Sequence, residues 1–237
     1  MAAQIVVVAG ATGGLGTSTF AALLADACAR DGAATVLVDL TDRGGIEVLL
    51  GIERRPGVRW ADLSDVRAPI EAAGLADALP RWRGVEVLGP DRRSGTGPAV
   101  VPVLTSLIRA RDLVVVDHPV PASGLPPLTV LDGVPGRADV VLLVGQDVVG
   151  VASALALLPR IRAAAPGLGQ HLVLRGRRRA RVAPVEAAHL LDLPVRGVLP
   201  AHRGLPDAVD RGLGPVVSRR SRLGRTVRRV GRCVVDG

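Results

Sequence analysis

Lysine and tyrosine are absent from this 237-residue chain, and all 30 basic residues are arginine. That excludes a Schiff-base lysine, a Tyr–Lys proton relay, and the lysine that ordinarily neutralises phosphates in a glycine-rich loop. Aromatic side chains are almost missing too, with only Phe20, Trp60 and Trp82 present. The two cysteines, Cys28 and Cys233, show no pairing or metal spacing and read as reduced thiols of a cytosolic protein. No apolar run reaches the roughly 18 residues that a membrane span needs. The start, Met-Ala-Ala-Gln, leads into a strand-like run without a basic region, so no signal peptide is expected. His118, His171, His189 and His202 lack metal-ligand spacing. His118 reads as a solvated loop residue and His189 as a packed one with a satisfied hydrogen bond. No nucleophile elbow appears, and no metal beyond Mg²⁺ is expected.

Val, Leu and Ala dominate the 48% of residues that are apolar. Such a chain suits strands buried on both faces between helices, the signature of a parallel sheet. Strand-like runs fall at Ile5–Ala9, Thr35–Val38, Val85–Leu88, Leu113–Val116, Val140–Val144, Leu172–Leu174 and Val195–Leu199. Between them, helical spacing predicts Ser18–Arg30, Ile46–Gly51, Ile70–Leu79, Val100–Ala110, Val149–Ala164 and a last helix over about Val216–Val235. Asp91–Pro98 and the proline-rich His118–Pro127 read as loops. The alternation predicts one α/β domain over residues 1–237, a doubly wound and mostly parallel sheet.

The net charge of +8 is local. Five arginines lie between Arg175 and Arg181 and seven between Arg219 and Arg232, leaving the remainder net acidic. In the last helix Leu223, Val227, Val230 and Val234 share one narrow face, opposite Arg222, Arg225, Arg228, Arg229 and Arg232. That pattern admits a helix packed on the sheet with solvated arginines, an anionic-membrane contact, or salt-dependent DNA binding.

Ligands of doubly wound sheets bind at the carboxyl ends of the strands, so the loop Gly10–Thr19 is the default site. Gly10, Gly14 and Gly16 fit the GxxxGxG pattern of short-chain dehydrogenases, with Asp39 placed for a ribose hydroxyl. The Tyr and Lys of that chemistry are missing, which leaves at most a cofactor-binding relic. The other alignment sets Thr12-Gly13-Gly14-Leu15-Gly16-Thr17-Ser18-Thr19 against the deviant Walker A loop KGGxGK[ST]T. Gly13, Gly14, Gly16, Ser18 and Thr19 match, while Thr12 and Thr17 stand where the two lysines belong. Glycines would bring N–H groups close to phosphate oxygens, and the following helix adds its positive dipole end. A tight turn with no ligand is the plainer reading. Leu113–Asp117 has the form of a Walker B strand, so Ser18 and Asp117 are the expected Mg²⁺ residues, directly or through water. Asp117 as a loop cap is the alternative. Asp39 and Asp117 are the catalytic candidates. Arg43, Arg92, Arg93 and Arg175 are conceivable substitutes for the lysines.

Segments 51–63 (GIERRPGVRWADL), 112–117, 138–144 and 193–200 complete a resemblance to the actinobacterial CpaE-like, or TadZ-like, proteins of the ParA/MinD superfamily, annotated in that family as septum-site-determining or Tad pilus-associated. The resemblance covers nearly the whole chain, although members often carry a further N-terminal region. It implies a MinD-like fold, ATP or ADP with Mg²⁺ bound weakly or no longer, and a homodimer. It also implies a cytoplasmic positioning role, peripheral at the membrane if anywhere, in placing pilus, secretion or division machinery. Without lysines, hydrolysis is expected to be weak or absent. The rival expectations are an ATPase that uses arginine instead and an adaptor that needs no nucleotide.

Overall fold

The computed structural model describes residues 3–41, 45–90, 97–118, 136–177 and 179–235. Eight strands form one sheet: β1 (Gln4–Gly10), β2 (Thr35–Asp39), β3 (Arg81–Trp82), β4 (Val85–Leu88), β5 (Leu113–His118), β6 (Arg137–Gly145), β7 (Gly169–Arg175) and β8 (Val195–Leu199). Their order is β3-β4-β2-β5-β1-β6-β7-β8, and every pairing is parallel except β3 with β4. The α/β doubly wound expectation holds.

Helices cover both faces. On one lie α1 (Thr17–Arg30), α2 (Ile46–Leu50), α7 (Gly204–Asp210) and α8 (Arg222–Val235). On the other lie α3 (Ala72–Asp77), α4 (Val100–Ala110), α5 (Val148–Ala164) and α6 (Pro184–Leu191). The pleat divides each central strand between two cores. Ile5, Val7, Val114 and Val116 face α4 and α5, while Val6, Val8, Leu113 and Val115 face α1 and α8. This is why these strands read as continuous apolar runs rather than as alternating ones.

Several expectations need correction. The last helix begins at Arg222, not near Val216, and Ser221 Oγ accepts from the Gly224 N–H at 2.9 Å at its start. The helix expected over Ile70–Leu79 shortens to α3, because Glu71 caps it by accepting from Ala73 N at 2.8 Å. His118 is the buried end of β5, 2% exposed, not a solvated loop residue. His189 is exposed on α6, where Ala187 and Leu191 take the packed positions. His171 is the histidine with a built environment. Its Nδ1 accepts from Arg196 Nε at 3.0 Å, so its Nε2 donates to Asp139, also at 3.0 Å.

The apolar stripe of α8 is consumed by the core. Leu223, Val227, Val230 and Val234 are each 2% exposed or less, packed with α1 residues. Asp31, just past α1, forms ion pairs with Arg219, Arg228 at 2.7 Å and Arg232 at 3.7 Å. Hydrophobic burial and these pairs together fasten α8 to α1.

Candidate functional site

The carboxyl end of the sheet assembles three segments around the loop between β1 and α1. Gly10 is obligatory there: an added Cβ would lie 2.5 Å from Thr17 Oγ1 and 3.1 Å from Thr12 O. Gly16, at φ 81° and ψ 36°, turns the chain left-handed into α1. It also accepts the first helical hydrogen bond, Phe20 N to Gly16 O at 2.8 Å. Leu15 is buried and anchors the loop, whereas Gly13, Gly14 and Gly16 are exposed and Thr12, Thr17, Ser18 and Thr19 half-buried. The result is an open cradle with N–H groups at a helix start and no side-chain cap on α1.

Two carboxylates close the cradle from below. β2 and β5 are parallel neighbours with Asp39 opposite Asp117, and the pleat points both toward the α1 side. Asp39 is 1% exposed and Asp117 2%. Asp39 Oδ1 accepts from Thr41 N at 2.7 Å, and burial raises its pKa against that bond. Its carboxylate therefore holds the start of the following loop, and Trp60 Nε1 donates to its carbonyl at 2.8 Å. Asp117 differs. Burial pushes it up to about 7; the hydrogen bond from Ser18 opposes that, and the charge of Asp39 adds to it. Asp117 Oδ2 is buried without a hydrogen-bond partner among the described residues. An orphaned carboxylate oxygen beside a serine hydroxyl is costly in isolation and suits a cation.

The donor set fits Mg²⁺ held against a phosphate: Ser18 Oγ and Asp117 would supply two oxygens, and phosphate and water would complete the set. Among the described residues no group of three His, Cys, Asp or Glu forms a metal cluster of its own.

Two cavities flank the loop. One, of about 340 Å³, runs from Gly16 and Thr19 between Leu199, Leu205, Pro206 and Val209, with Arg175 at its wall. Its apolar sides suit a planar base. Arg175 Nη1 donates to Pro200 O at 3.3 Å. The second, of about 510 Å³, lies against Thr12, Gly13 and Gly14 and the start of α5. Arg177 and Arg181 line it, and local sequence reasoning did not find them. Arg43, Arg92, Arg93 and Arg178 lie outside the described residues, as do residues 119–127 of the expected proline-rich loop.

No protein-family model matches the chain. Two uncharacterized proteins of Mycobacterium tuberculosis, from strains CDC 1551 and H37Rv, are each 36% identical over 231 residues, covering 95% of this chain and 62% of theirs. The chain thus spans less than two thirds of the length of these curated relatives. Among solved structures, the MinC:MinD cell division protein complex of Aquifex aeolicus superposes with a TM-score of 0.79 at 18% identity, covering 99% of this chain and 97% of that one. A ParA family ATPase from Chlorobium tepidum gives 0.75 at 17%, covering 97% and 98%. The septum site-determining protein MinD of Pyrococcus horikoshii, complexed with Mg-ADP, gives 0.69 at 20%, covering 98% and 95%. The fold is the α/β P-loop fold of the MinD and ParA proteins.

Proposed function

We propose that this chain is a MinD/ParA-type positioning factor that binds ATP or ADP with Mg²⁺ and hydrolyses ATP slowly or not at all. The observation that carries the reading is the lysine-free cradle closed by a buried, unpartnered Asp117 oxygen beside Ser18. The Gly13–Ser18 N–H groups would bind phosphate oxygens, and Ser18 with Asp117 would hold the cation. A bound Mg²⁺-nucleotide supplies an electrophilic terminal phosphoryl group whose transition-state charge the protein must stabilise. Asp39 is committed to Thr41 N, so it orders the loop rather than activating a water. Loss of cationic stabilisation costs on the order of 10²-fold or more in rate.

The finer assignment, a CpaE- or TadZ-like scaffold for pilus, secretion or septum machinery, rests on the order and spacing of the resembling segments. A homodimer fits the same reading. Val148 and Val149, 68% and 69% exposed, stand at the start of α5 beside the phosphate loop. Turnover measured by phosphate release tests the catalytic half: we expect a rate far below about 1 s⁻¹, the low end of ordinary enzymes. Introducing Thr12→Lys with Thr17→Lys should raise nucleotide affinity. A wild-type rate at or above that level would favour an arginine-dependent ATPase.

A second reading concerns α8. Its apolar stripe is buried, which leaves no face for insertion into lipid. Arg222, Arg225 and Arg229 still line an open groove of about 430 Å³ beside β8. Any contact with DNA or an anionic membrane would then be electrostatic, weakening steeply between 50 and 200 mM salt by roughly tenfold or more. Affinity that is insensitive to salt would rule it out.

A further inference from the structure

We infer that Arg177 and Arg181, on the loop after β7, supply the positive charge the phosphate loop lacks and bind the terminal phosphate of a nucleoside triphosphate. This rests on the nucleotide reading above and names residues that reading does not contain. The cavity of about 510 Å³ is lined by Thr12, Gly13 and Gly14 of the phosphate loop, by the start of α5 from Asp147 to Gly150, and by Arg177 and Arg181. At the opposite end of the loop, the apolar cavity beginning at Gly16 and Thr19 takes the base. A nucleotide spanning the loop therefore places its outermost phosphate at the arginine end.

Arg177 is held through its side chain and Arg181 through its backbone. Asp147 uses one oxygen to cap α5, accepting from Gly150 N at 2.8 Å, and the other to hold Arg177 Nε at 3.1 Å. That contact engages Nε and leaves the terminal amino groups of the fork for a ligand. Arg181 has no ion pair among the described residues. Its backbone N–H donates to Gln146 O at 3.3 Å, and Gln146 Nε2 donates to Val182 O at 3.0 Å. Gln146, only 7% exposed, thus ties both ends of this interaction to the tip of β6. On the far side of the loop, the orphaned Asp117 oxygen independently marks the place as one built for a cation and its anionic partner. A guanidinium already oriented beside an open cavity, as Arg177 is, loses less rotamer freedom on binding an anion than a free one would.

Equilibrium binding of ADP and a non-hydrolysable ATP analogue, with Mg²⁺, tests this on the whole chain. Arg181→Gln should weaken the triphosphate about tenfold, and Arg177→Gln with Arg181→Gln about 10²-fold, with ADP affected several-fold less. Adding Thr12→Lys to the double variant should restore triphosphate affinity, because it returns a cation to the same cavity. Arg109→Gln with Arg160→Gln, exposed on the later turns of α4 and α5, form the charge control and should change little. Wild type binding the analogue while the double variant binds equally well would overturn the inference and leave the nucleotide reading intact. An equal loss in the charge control would also overturn it. If wild type binds neither nucleotide, the functional reading fails, and inorganic tripolyphosphate decides the rest. Binding lost in the double variant upholds the arginine site alone, and no binding sinks both.

Discussion

Folding moves the pKa of Asp117 from 3.8 to about 7, chiefly because the carboxyl is taken out of water. Between those values the folded chain keeps a proton that the unfolded chain has released. Stability should therefore fall as pH rises from about 4 to about 7, by an amount on the order of a few kcal/mol at most. Asp117→Asn should remove that slope and stabilise the ligand-free protein at pH 8. Melting temperatures across this pH range, in buffer with EDTA, check it; an unchanged slope in the variant would contradict the cause assigned here. The same substitution should cost function: Ser18→Ala and Asp117→Ala should each weaken Mg²⁺-dependent nucleotide binding about tenfold or more. Such opposite effects on stability and binding are what a strained ligand site produces. At this scale the sequence was informative. Asp39 and Asp117 were readable as carboxylates at the strand ends, and Gly10–Thr19 as the loop joining the first strand to the first helix. The partition of their roles was not, because it depends on Thr41 N reaching one carboxylate and not the other.

Among the elements, α8 shows most clearly how packing decides between readings that periodicity leaves open. Its valine stripe favours a core helix but admits a membrane contact too. The structure buries Val230 and Val234 completely against the α1 layer. Val230→Ala should cost about 2 kcal/mol, as a buried methyl deletion with incomplete collapse does, measured by urea unfolding. Asp31→Asn should cost about 1 kcal/mol or less, and the loss should shrink in 0.5 M salt, since three partly exposed arginines share that carboxylate. The hydrogen bond from Arg228 is the main reason Asp31 is held below the usual carboxylate range; burial opposes it, and the charges of Arg228, Arg219 and Arg232 assist. This contribution is present above the unfolded pKa and is lost as pH falls through it. Elements with thin sequence signals escaped notice for physical reasons. β3 is two residues long and turns through Arg83 at φ 50° and Gly84 at φ 88°. In α7 only Leu205 is buried, so no apolar face marks it.

For the whole molecule, sheet order makes the site. Thr12 and Arg181 are far apart in the chain, yet β7 lies beside β6 and β6 beside β1, which brings their loops together. No local pattern encodes that proximity, and of the arginine cluster at 175–181 only Arg175 read as a conceivable substitute for the lysines. In assembly, the resemblance to the ParA/MinD superfamily implies a loop lysine that reaches the partner subunit's outer phosphate, and its absence here implies association that does not depend on that phosphate. We expect a dimer by sedimentation velocity that is the same without nucleotide, with ADP and with an ATP analogue. Val148→Asp with Val149→Asp should dissociate it. A dimer seen only with the analogue would contradict this and make the protein a nucleotide-dependent switch.

A loop without lysine is proposed here to bind Mg²⁺-nucleotide through backbone N–H groups, Ser18 and Asp117, and calorimetric titration of ATP into the wild-type chain, with and without Mg²⁺, tests it. Saturable one-site binding is expected, tighter by at least tenfold with Mg²⁺, since the metal relieves the orphaned Asp117 oxygen. No binding up to millimolar ATP in either buffer, or binding indifferent to Mg²⁺, would contradict it.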